Sequence, residues 1–229
     1  MTRTVKDPEV RKNELVDAAE ELFKEKGYSR TSIADIVNKV GVAHGLFYYY
    51  FDSKEDIIDA IVQRMVDEFV VSINEIIDDE GLNAKEKFKR LFFSTFNRKK
   101  EKIYFFDYYN QEENRLMYSK YMTTISDRVV PLITEIIEQG IEEGVFKTKY
   151  PREAVEFWLY GRLSIDISSF PENLDKILRS VRAEAFFLDR ILGTKDAFIT
   201  DMWNELLKDF EKTVQESDVY LKSGDDGNG

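Results

Sequence analysis

Residues 31–57, TSIADIVNKVGVAHGLFYYYFDSKEDI, constrain the fold of this chain more than any other stretch. Thr31 and Ser32 carry side-chain oxygens that can cap a helix, and the apolar residues that follow recur at helical spacing. Gly41 supplies the residue type that most readily adopts the left-handed conformation of a sharp turn. A second short helix is expected over about residues 43–51. Two short helices joined by a tight glycine turn predict a helix-turn-helix motif.

The second helix of this motif is expected to expose aromatic rings. With Phe47 at the buried centre and a rotation of about 100° per residue, Ala43, Tyr50 and Phe51 fall on the inward side. The outward positions are Gly45, Tyr48, Tyr49 and Asp52, with His44 at the border. Two adjacent rings exposed to water indicate a partner surface. A helix with its side chains is about 10–12 Å across, which suits the DNA major groove, about 12 Å wide.

Lys54 strengthens this interpretation. Ser53 and Asp56 form the pattern of a capping box, which places Lys54 in the first turn of the next helix. The helix dipole disfavours a cation there, so another group must favour it. A DNA phosphate would do so, and N–H groups at the helix start and the Tyr48 hydroxyl could bind the same phosphate.

These residues resemble the DNA-binding signature of the TetR (tetracycline-repressor) family of bacterial regulators. The matching positions are Thr31, Ser32, Ile36, Gly41, Val42, Gly45, Phe47, Tyr48, Tyr50, Phe51, Ser53 and Lys54. The chain departs from the family pattern at Val37, Val40 and Ala43. Ala43 replaces the usual serine and removes one expected phosphate hydrogen bond.

The resemblance implies an all-α fold of about nine or ten helices. A three-helix DNA-binding head would occupy residues 1–52, a larger helical domain for dimerisation and ligand binding residues 53–222, and a disordered tail residues 223–229. It also implies a homodimer on a palindromic double-stranded operator, repression as the default, and release by a small-molecule effector that alters the separation of the two heads. The dimer helices are expected within residues 151–169 and 174–216.

The DNA-facing residues take different expected roles. Tyr48 is expected to anchor a phosphate, the ring of Tyr49 to lie on a thymine methyl, and Gly45 to allow close approach to a base pair. His44 is either an incidental surface histidine or, at the start of the recognition helix, a contact to a base or phosphate. The complete predicted set is Thr31, Ser32, His44, Gly45, Tyr48, Tyr49, Tyr50 and Lys54. Thr31 is expected to cap its helix and still offer its hydroxyl to a phosphate.

Size and charge fit this organisation. The 229 residues are 43% hydrophobic and contain no cysteine, no long apolar window and no hydrophobic signal core, so a soluble cytoplasmic protein without disulfides is expected. Residues 1–54 hold nine Lys and Arg against nine Asp and Glu, while residues 55–229 hold 24 against 35, so the net charge of −11 lies outside the head. Steep salt sensitivity of DNA binding is therefore expected. Arg3 and Lys6 either contact DNA or belong to a disordered start.

Along the chain, helices are expected at residues 9–26, 53–79, around 88–96, around 131–141, 151–169, 172–192 and 195–216, with no strand. Apolar residues at Leu15, Ala18, Ala19, Leu22 and Phe23 predict the buried stripe of the first helix. The cluster Arg98, Lys99, Lys100 and Lys102 is interpreted as a solvated connection rather than a second nucleic-acid site, because Glu101 interrupts it.

The sequence contains few of the side chains that enzymatic catalysis commonly requires. His44 is the only histidine, and no cysteine, GxGxxG or P-loop is present, so no metal or cofactor is expected. Aromatic residues of the larger domain are either plain core or the wall of a mainly apolar effector site. The residues predicted for such a site are Phe92, Phe96, Tyr104, Phe105, Tyr108, Tyr121, Phe157, Trp158 and Arg162. Arg162 serves either an anionic ligand or a dimer interface. The alternative function is a related DNA-binding protein controlled by a protein partner, or one with a structural role on the chromosome.

Overall fold

The computed structural model describes residues 7–96, 115–163 and 174–208, and every regular element in these ranges is an α-helix. The helices are α1 (Pro8–Lys26), α2 (Ile33–Val40), α3 (His44–Tyr50), α4 (Lys54–Ile77), α5 (Ala84–Phe96), α6 (Arg115–Arg128), α7 (Val130–Glu142), α8 (Pro151–Leu163) and α9 (Leu174–Leu192). Residues 198–208 form a further helix, α10. The predicted all-α fold is confirmed. None of the described helices combines the length and hydrophobicity that a membrane span requires.

The chain divides into two compact units. As far as it is described, unit 1 comprises Met1–Asp78 and Arg98–Leu132, and unit 2 comprises Asp79–Asn97 and Ile133–Gly229. Unit 1 therefore contains the helix-turn-helix, the long helix α4 and helix α6. Unit 2 contains α5, most of α7, and α8 to α10.

Helix α1 forms one wall of the unit 1 core. Asp7 caps its start by accepting from the Glu9 N–H, and Pro8 occupies its first position. The predicted stripe is confirmed, with Leu15, Ala18, Ala19, Leu22 and Phe23 all buried together with Val16. On its outer side, Arg64 of α4 pairs with Asp17 and Glu20. These ion pairs tie α1 to α4.

Sharp local signals bound helix α2. Ser32 caps its start through a reciprocal capping box with Asp35. Gly41 ends it with φ 74° and ψ 38°, a left-handed conformation that costs glycine little because it has no Cβ. The next helix, α3, begins three residues later. The predicted helix-turn-helix geometry is present.

Helix α4 is 24 residues long and begins with the second predicted capping box, between Ser53 and Asp56. The sequence predicts a stripe in this helix at four-residue steps, Ile57, Ile61, Met65, Phe69, Ile73 and Ile77, but such a stripe drifts around the helix, because four residues turn through about 400° rather than 360°. Met65, Phe69 and Ile77 of that stripe are only half-buried. The buried face consists instead of Ile57, Ile58, Ile61, Val62, Val66, Ile73 and Ile76.

Aromatic rings dominate the core of unit 2. Phe92 stacks on Trp158 with a centroid distance of 6.1 Å and an interplanar angle of 6°, and meets Trp203 edge-on at 4.1 Å. Phe88 lies against Phe92 and Trp158, and against Phe146 at 5.6 Å. These rings are buried. They hold α5, α8 and α10 together with the loop after α7.

The end of α7 requires a glycine. A Cβ on Gly140 would overlap the ring of Phe146. The N–H groups of Val145 and Phe146 both donate to the Gly140 carbonyl, at 2.8 and 3.0 Å. The segment GIEEGVF, residues 140–146, therefore closes this helix through a close approach of the Phe146 ring to the backbone of Gly140.

Candidate nucleic-acid interface

Helix α3 presents two tyrosine rings to solvent. The exposed fraction is 51% for Tyr48 and 72% for Tyr49, whereas Tyr50 is half-buried. His44 and Gly45 are also exposed, and an added Cβ at Gly45 would meet nothing within 4 Å. The predicted outward face is present in the structure: His44, Gly45, Tyr48 and Tyr49 all lie on the surface of α3.

Two phenylalanines hold the opposite side of α3. Phe47 is fully buried and Phe51 is 5% exposed, with ring centroids 5.5 Å apart. Tyr48 rests against Phe47 at 5.6 Å and against His44 at 5.4 Å. Tyr49 meets the ring of Tyr50 edge-on at 4.8 Å. Each exposed ring is therefore supported by neighbouring rings, which limits the entropy lost when it contacts a partner.

Ala43 precedes α3 and offers no side-chain hydrogen bond to the helix start. Ala43 stands where the family pattern has a serine, and α3 therefore begins without a side-chain cap.

Thr31 and Ser32, both predicted to contact DNA, differ in their exposure to solvent. Ser32 is exposed, and its hydroxyl donates to Asp35 Oδ2 at 2.7 Å and accepts from the Asp35 N–H at 3.1 Å. Thr31 is 1% exposed, and its hydroxyl donates to the carbonyl of Gly27 at 2.8 Å. The Thr31 side chain has almost no surface to offer a phosphate in this arrangement. Its hydroxyl joins the end of α1 to the start of α2.

Lys54 also differs from the sequence-based interpretation. Its Nζ donates to the carbonyls of Tyr28 and Thr31, at 2.8 and 2.7 Å, and lies 4.1 Å from the centroid of the Tyr28 ring. Partial burial lowers the pKa of this ammonium group, against the opposing charge of Asp35. The groups that favour a cation at this helix start are therefore two backbone carbonyls and a ring of the protein itself.

Carboxylates next to the helix starts are held in their charged form. Hydrogen bonds from Lys26 and from the Ser32 backbone and hydroxyl strongly lower the pKa of Asp35. Hydrogen bonds from the Ser53 hydroxyl and from the backbone N–H groups of Asp52 and Ser53 lower the pKa of Asp56. Both capping boxes therefore remain intact at neutral pH.

No group of three metal-binding side chains occurs in the described ranges.

The residues predicted for the effector site differ in burial and in location. Phe92 and Trp158 are buried together in the unit 2 core. Tyr121 is half-buried on α6 of unit 1. Phe157 is 66% exposed, whereas the buried side chains of α8 are Ala154, Val155 and Trp158, so its place in an effector site stays a prediction. Tyr104, Phe105 and Tyr108, and the side chains of Phe96 and Arg162, lie outside the described residues, as do Arg3, Lys6, the cluster at residues 98–102 and the tail at residues 223–229.

Sequence reasoning missed four exposed large rings on the neighbouring helices α8 and α9. The exposed fraction is 66% for Phe157, 49% for Tyr160, 44% for Phe186 and 55% for Phe187. The two helices are joined by a hydrogen bond of 2.6 Å from Trp158 Nε1 to Glu184. On α8 a buried ring, Trp158, lies between the exposed rings of Phe157 and Tyr160, so residue type alone could not separate core rings from surface rings there. We call these four residues the α8–α9 aromatic surface.

Comparison with known families agrees with this geometry. Residues 15–61 match a family model described as bacterial regulatory proteins of the tetR family. Residues 96–183 match a second model, described as a tetracyclin repressor-like C-terminal domain. The first match spans most of α1 and all of α2 and α3, and the second includes α6, α7 and α8.

Individual proteins are similar over part or most of the chain. The HTH-type transcriptional repressor KstR2 of Mycobacterium tuberculosis is 28% identical over 150 residues, which are 64% of this chain and 74% of that protein. The fatty acid metabolism regulator protein of Bacillus subtilis is 32% identical over 84 residues, 37% of this chain and 43% of that protein. A crystal structure of a regulator described as tetR family, from Shewanella sp. PV-4, superposes with a TM-score of 0.59 at 22% identity, covering 79% of this chain and 97% of that one. At that identity the superposition supports the fold alone.

Proposed function

The chain is a member of the TetR family of DNA-binding transcriptional regulators, and on this basis we propose that it represses transcription as a homodimer bound to a palindromic operator and leaves the operator when a small molecule binds. The observation that carries the proposal is the exposed face of α3. Tyr48 and Tyr49 project from a helix whose other side is anchored by Phe47 and Phe51. A helix of this diameter with its rings outward fits the major groove.

The roles proposed within α3 follow from exposure. The Tyr48 hydroxyl binds a phosphate and so sets the register of the helix on the duplex, while Tyr49 lies deeper in the groove against base edges. His44, one turn before Tyr48, contacts a base or phosphate. None of the seven residues of α3 carries an amide or guanidinium group. Bidentate readout of adenine or guanine by an Asn, Gln or Arg of α3 is therefore not part of the proposal.

A homodimer accounts for the α8–α9 aromatic surface. Four large rings exposed on two neighbouring helices form the kind of apolar patch that protein interfaces cover. In a two-fold dimer the same surface meets its copy, and the two heads then reach successive major-groove faces about 34–36 Å apart. This arrangement predicts an operator with two inverted half-sites.

The effector is proposed to be a small, mainly apolar molecule. The aromatic character of residues 103–122 suits such a ligand, and the tyrosine hydroxyls of this stretch would supply its few polar contacts. Release from DNA requires the ligand to bind the DNA-free arrangement more tightly than the DNA-bound one. Similarity to KstR2, which is described as a repressor, supports repression as the mode of action.

Selection of duplexes from a random pool by the purified protein, at two salt concentrations, tests DNA recognition. The expected result is enrichment of one inverted repeat, with affinity that falls steeply as salt rises. Recovery of unrelated sequences would contradict the proposal. Thermal-shift screening of small apolar molecules, followed by competition with the enriched duplex, then tests release.

Control by a protein partner is the second candidate function. The stacked rings of Phe88, Phe92, Trp158 and Trp203 form a packed core, which favours a body that responds to something other than a small ligand. A molecule that raises the melting temperature and releases DNA would exclude this candidate. A protein that releases DNA while no small molecule does so would favour it.

A further inference from the structure

Lys54 occupies a position from which it can fix the helix-turn-helix. It is the first residue of α4, yet its ammonium group reaches back 23 and 26 residues to the carbonyls of Thr31 and Tyr28, at 2.7 and 2.8 Å. Thr31 immediately precedes Ser32, the cap of α2. The lysine thus joins the start of α4 to the start of the helix-turn-helix.

The turn at residues 27–31, which accepts the hydrogen bonds of Lys54, is itself closed by hydrogen bonds. The Thr31 N–H donates to the Tyr28 carbonyl at 3.2 Å, and the Thr31 hydroxyl donates to the Gly27 carbonyl at 2.8 Å. The Tyr28 ring packs edge-on against Phe23 of α1 at 5.3 Å, while its face accepts the lysine at 4.1 Å. The cation therefore holds a compact turn rather than a loose loop.

We propose that Lys54 is a positioning residue for operator recognition, which sets the placement of α2 and α3 relative to α4 through the Tyr28 and Thr31 carbonyls. This inference rests on the proposed DNA-binding function. It differs from the expected phosphate contact in one measurable respect. A phosphate contact adds about 0.9 to the slope of log K against log salt and acts on every duplex. Loss of a positioning residue instead weakens binding to the operator sequence, because only there must the side chains of α3 align with particular bases.

The test compares Lys54→Met with the wild-type chain on two duplexes. One is the duplex most enriched by the wild-type protein from a random pool, and the other is a scrambled duplex of the same length. Methionine keeps an apolar side chain over Tyr28 and removes the donor. Lys39→Met is the matched control, because Lys39 is another lysine of the head whose pairs are the α1 carboxylates of Glu21 and Glu25.

In the expected result, Lys54→Met remains folded by circular dichroism and binds the enriched duplex about tenfold or more weakly. Its affinity for the scrambled duplex and its salt slope stay at the values of the wild type. Equal weakening on both duplexes with a slope lower by about one would establish the phosphate contact and overturn the proposal. Unchanged affinity in the folded variant would overturn it as well.

Tyr28→Leu provides an independent variant, which removes the ring and leaves the lysine charge. If Lys54 acts through this turn, Tyr28→Leu also weakens specific binding, and the double variant loses less than the sum of the two single losses. Additive losses would contradict the proposal. If Lys54→Met does not fold, Tyr28→Leu is measured on the same two duplexes by the same criteria. Failure of the wild-type protein to enrich any duplex would count against DNA recognition itself, before Lys54 is considered.

Discussion

Tyr49 is the most exposed of the large apolar residues in the described chain, and its ring carries the predicted base contact. It stands edge-on against Tyr50 at 4.8 Å, so its direction is partly fixed before DNA arrives. The only side chains of α3 able to hydrogen-bond are one imidazole and three phenols. We therefore expect readout by α3 to depend on ring contacts, chiefly with the C5 methyl of thymine.

Deletion of thymine methyl groups tests this readout. Replacing thymine by deoxyuridine, one position at a time, in the enriched duplex is expected to weaken wild-type binding about fourfold at the contacted position, since a buried methylene-sized group contributes about 0.8 kcal/mol. Tyr49→Ala is expected to bind more weakly overall and to be insensitive to the same replacement. Fluorescence anisotropy measures both. Equal deoxyuridine effects in the wild type and the variant would show that another residue contacts the methyl.

Substitution of Gly45 is expected to have opposite effects on the stability of the fold and on operator binding. An added Cβ meets nothing within 4 Å, so Gly45→Ala is expected to stabilise the fold; because Gly45 is the second residue of α3, the gain is at most the value of about 0.5–1 kcal/mol that applies in a helix interior. If α3 lies against a base pair at this point, the same methyl group weakens operator binding. Urea denaturation and anisotropy measure the two effects. Gly140→Ala is the contrasting variant and is expected to destabilise by about 1–3 kcal/mol, because its Cβ overlaps Phe146. A Gly45→Ala protein with unchanged DNA affinity would place α3 further from the bases.

Among the elements, the start of α4 contacts two neighbours, the turn before α2 and helix α6. Lys54 reaches the turn before α2, while Glu55 and Asp59 pair with Lys120 of α6, at 3.1 and 2.7 Å. Further along the same two helices, Arg128 pairs with Asp67 at 2.6 Å. Pairs of this exposure contribute about 0.2–1 kcal/mol each, so they orient α6 along α4 more than they stabilise it.

The capping box of α4 is expected to make the stability of unit 1 depend on acid. The hydrogen bond from the Ser53 hydroxyl, with those from two backbone N–H groups, lowers the pKa of Asp56 below its ordinary value of 3.8. A carboxylate with a lowered folded-state pKa contributes stability above its unfolded pKa and loses it as the pH falls through the folded value.

Asp56→Asn is therefore expected to be less stable than the wild type at pH 5–7, with a difference that shrinks as the pH falls below 3.8. Urea denaturation across this pH range measures the difference. Glu75→Gln, an exposed position near the end of the same helix, is the matched control and is expected to follow the wild-type curve. A pH-independent difference for Asp56→Asn would show that the capping box acts through geometry alone.

The elements also show what sequence reasoning can reach. The caps at Ser32 and Ser53, the turn at Gly41 and the buried face of Phe47 were predictable, because each depends on residues a few positions apart. The partners of Lys54 were not, since its two bonds cross 23 and 26 residues and require the tertiary fold. The exposure of Phe157 was missed for a related reason. Nothing in the local sequence distinguishes this exposed ring from the buried ring of Trp158 beside it.

At the scale of the whole molecule, the proposed dimer depends on the α8–α9 aromatic surface. The double variant Phe157→Glu/Phe187→Glu places charges where two copies would meet and is expected to sediment at the chain mass of 26.9 kDa, while the wild type sediments at twice that mass. Its operator affinity falls because one head alone covers one half-site. Val71→Glu, at a 57% exposed valine of α4, is the matched control. A double variant that remains dimeric would place the interface elsewhere.

Sequence recognition by the ring face of α3 can be tested by comparing two random-pool selections. The wild-type protein and a Tyr48→Ala/Tyr49→Ala variant, both shown to be folded and in the same oligomeric state, are given the same pool. We predict that the wild-type protein enriches an inverted repeat and that the variant enriches none. Enrichment of the same repeat by the variant would contradict the assignment of sequence recognition to this face.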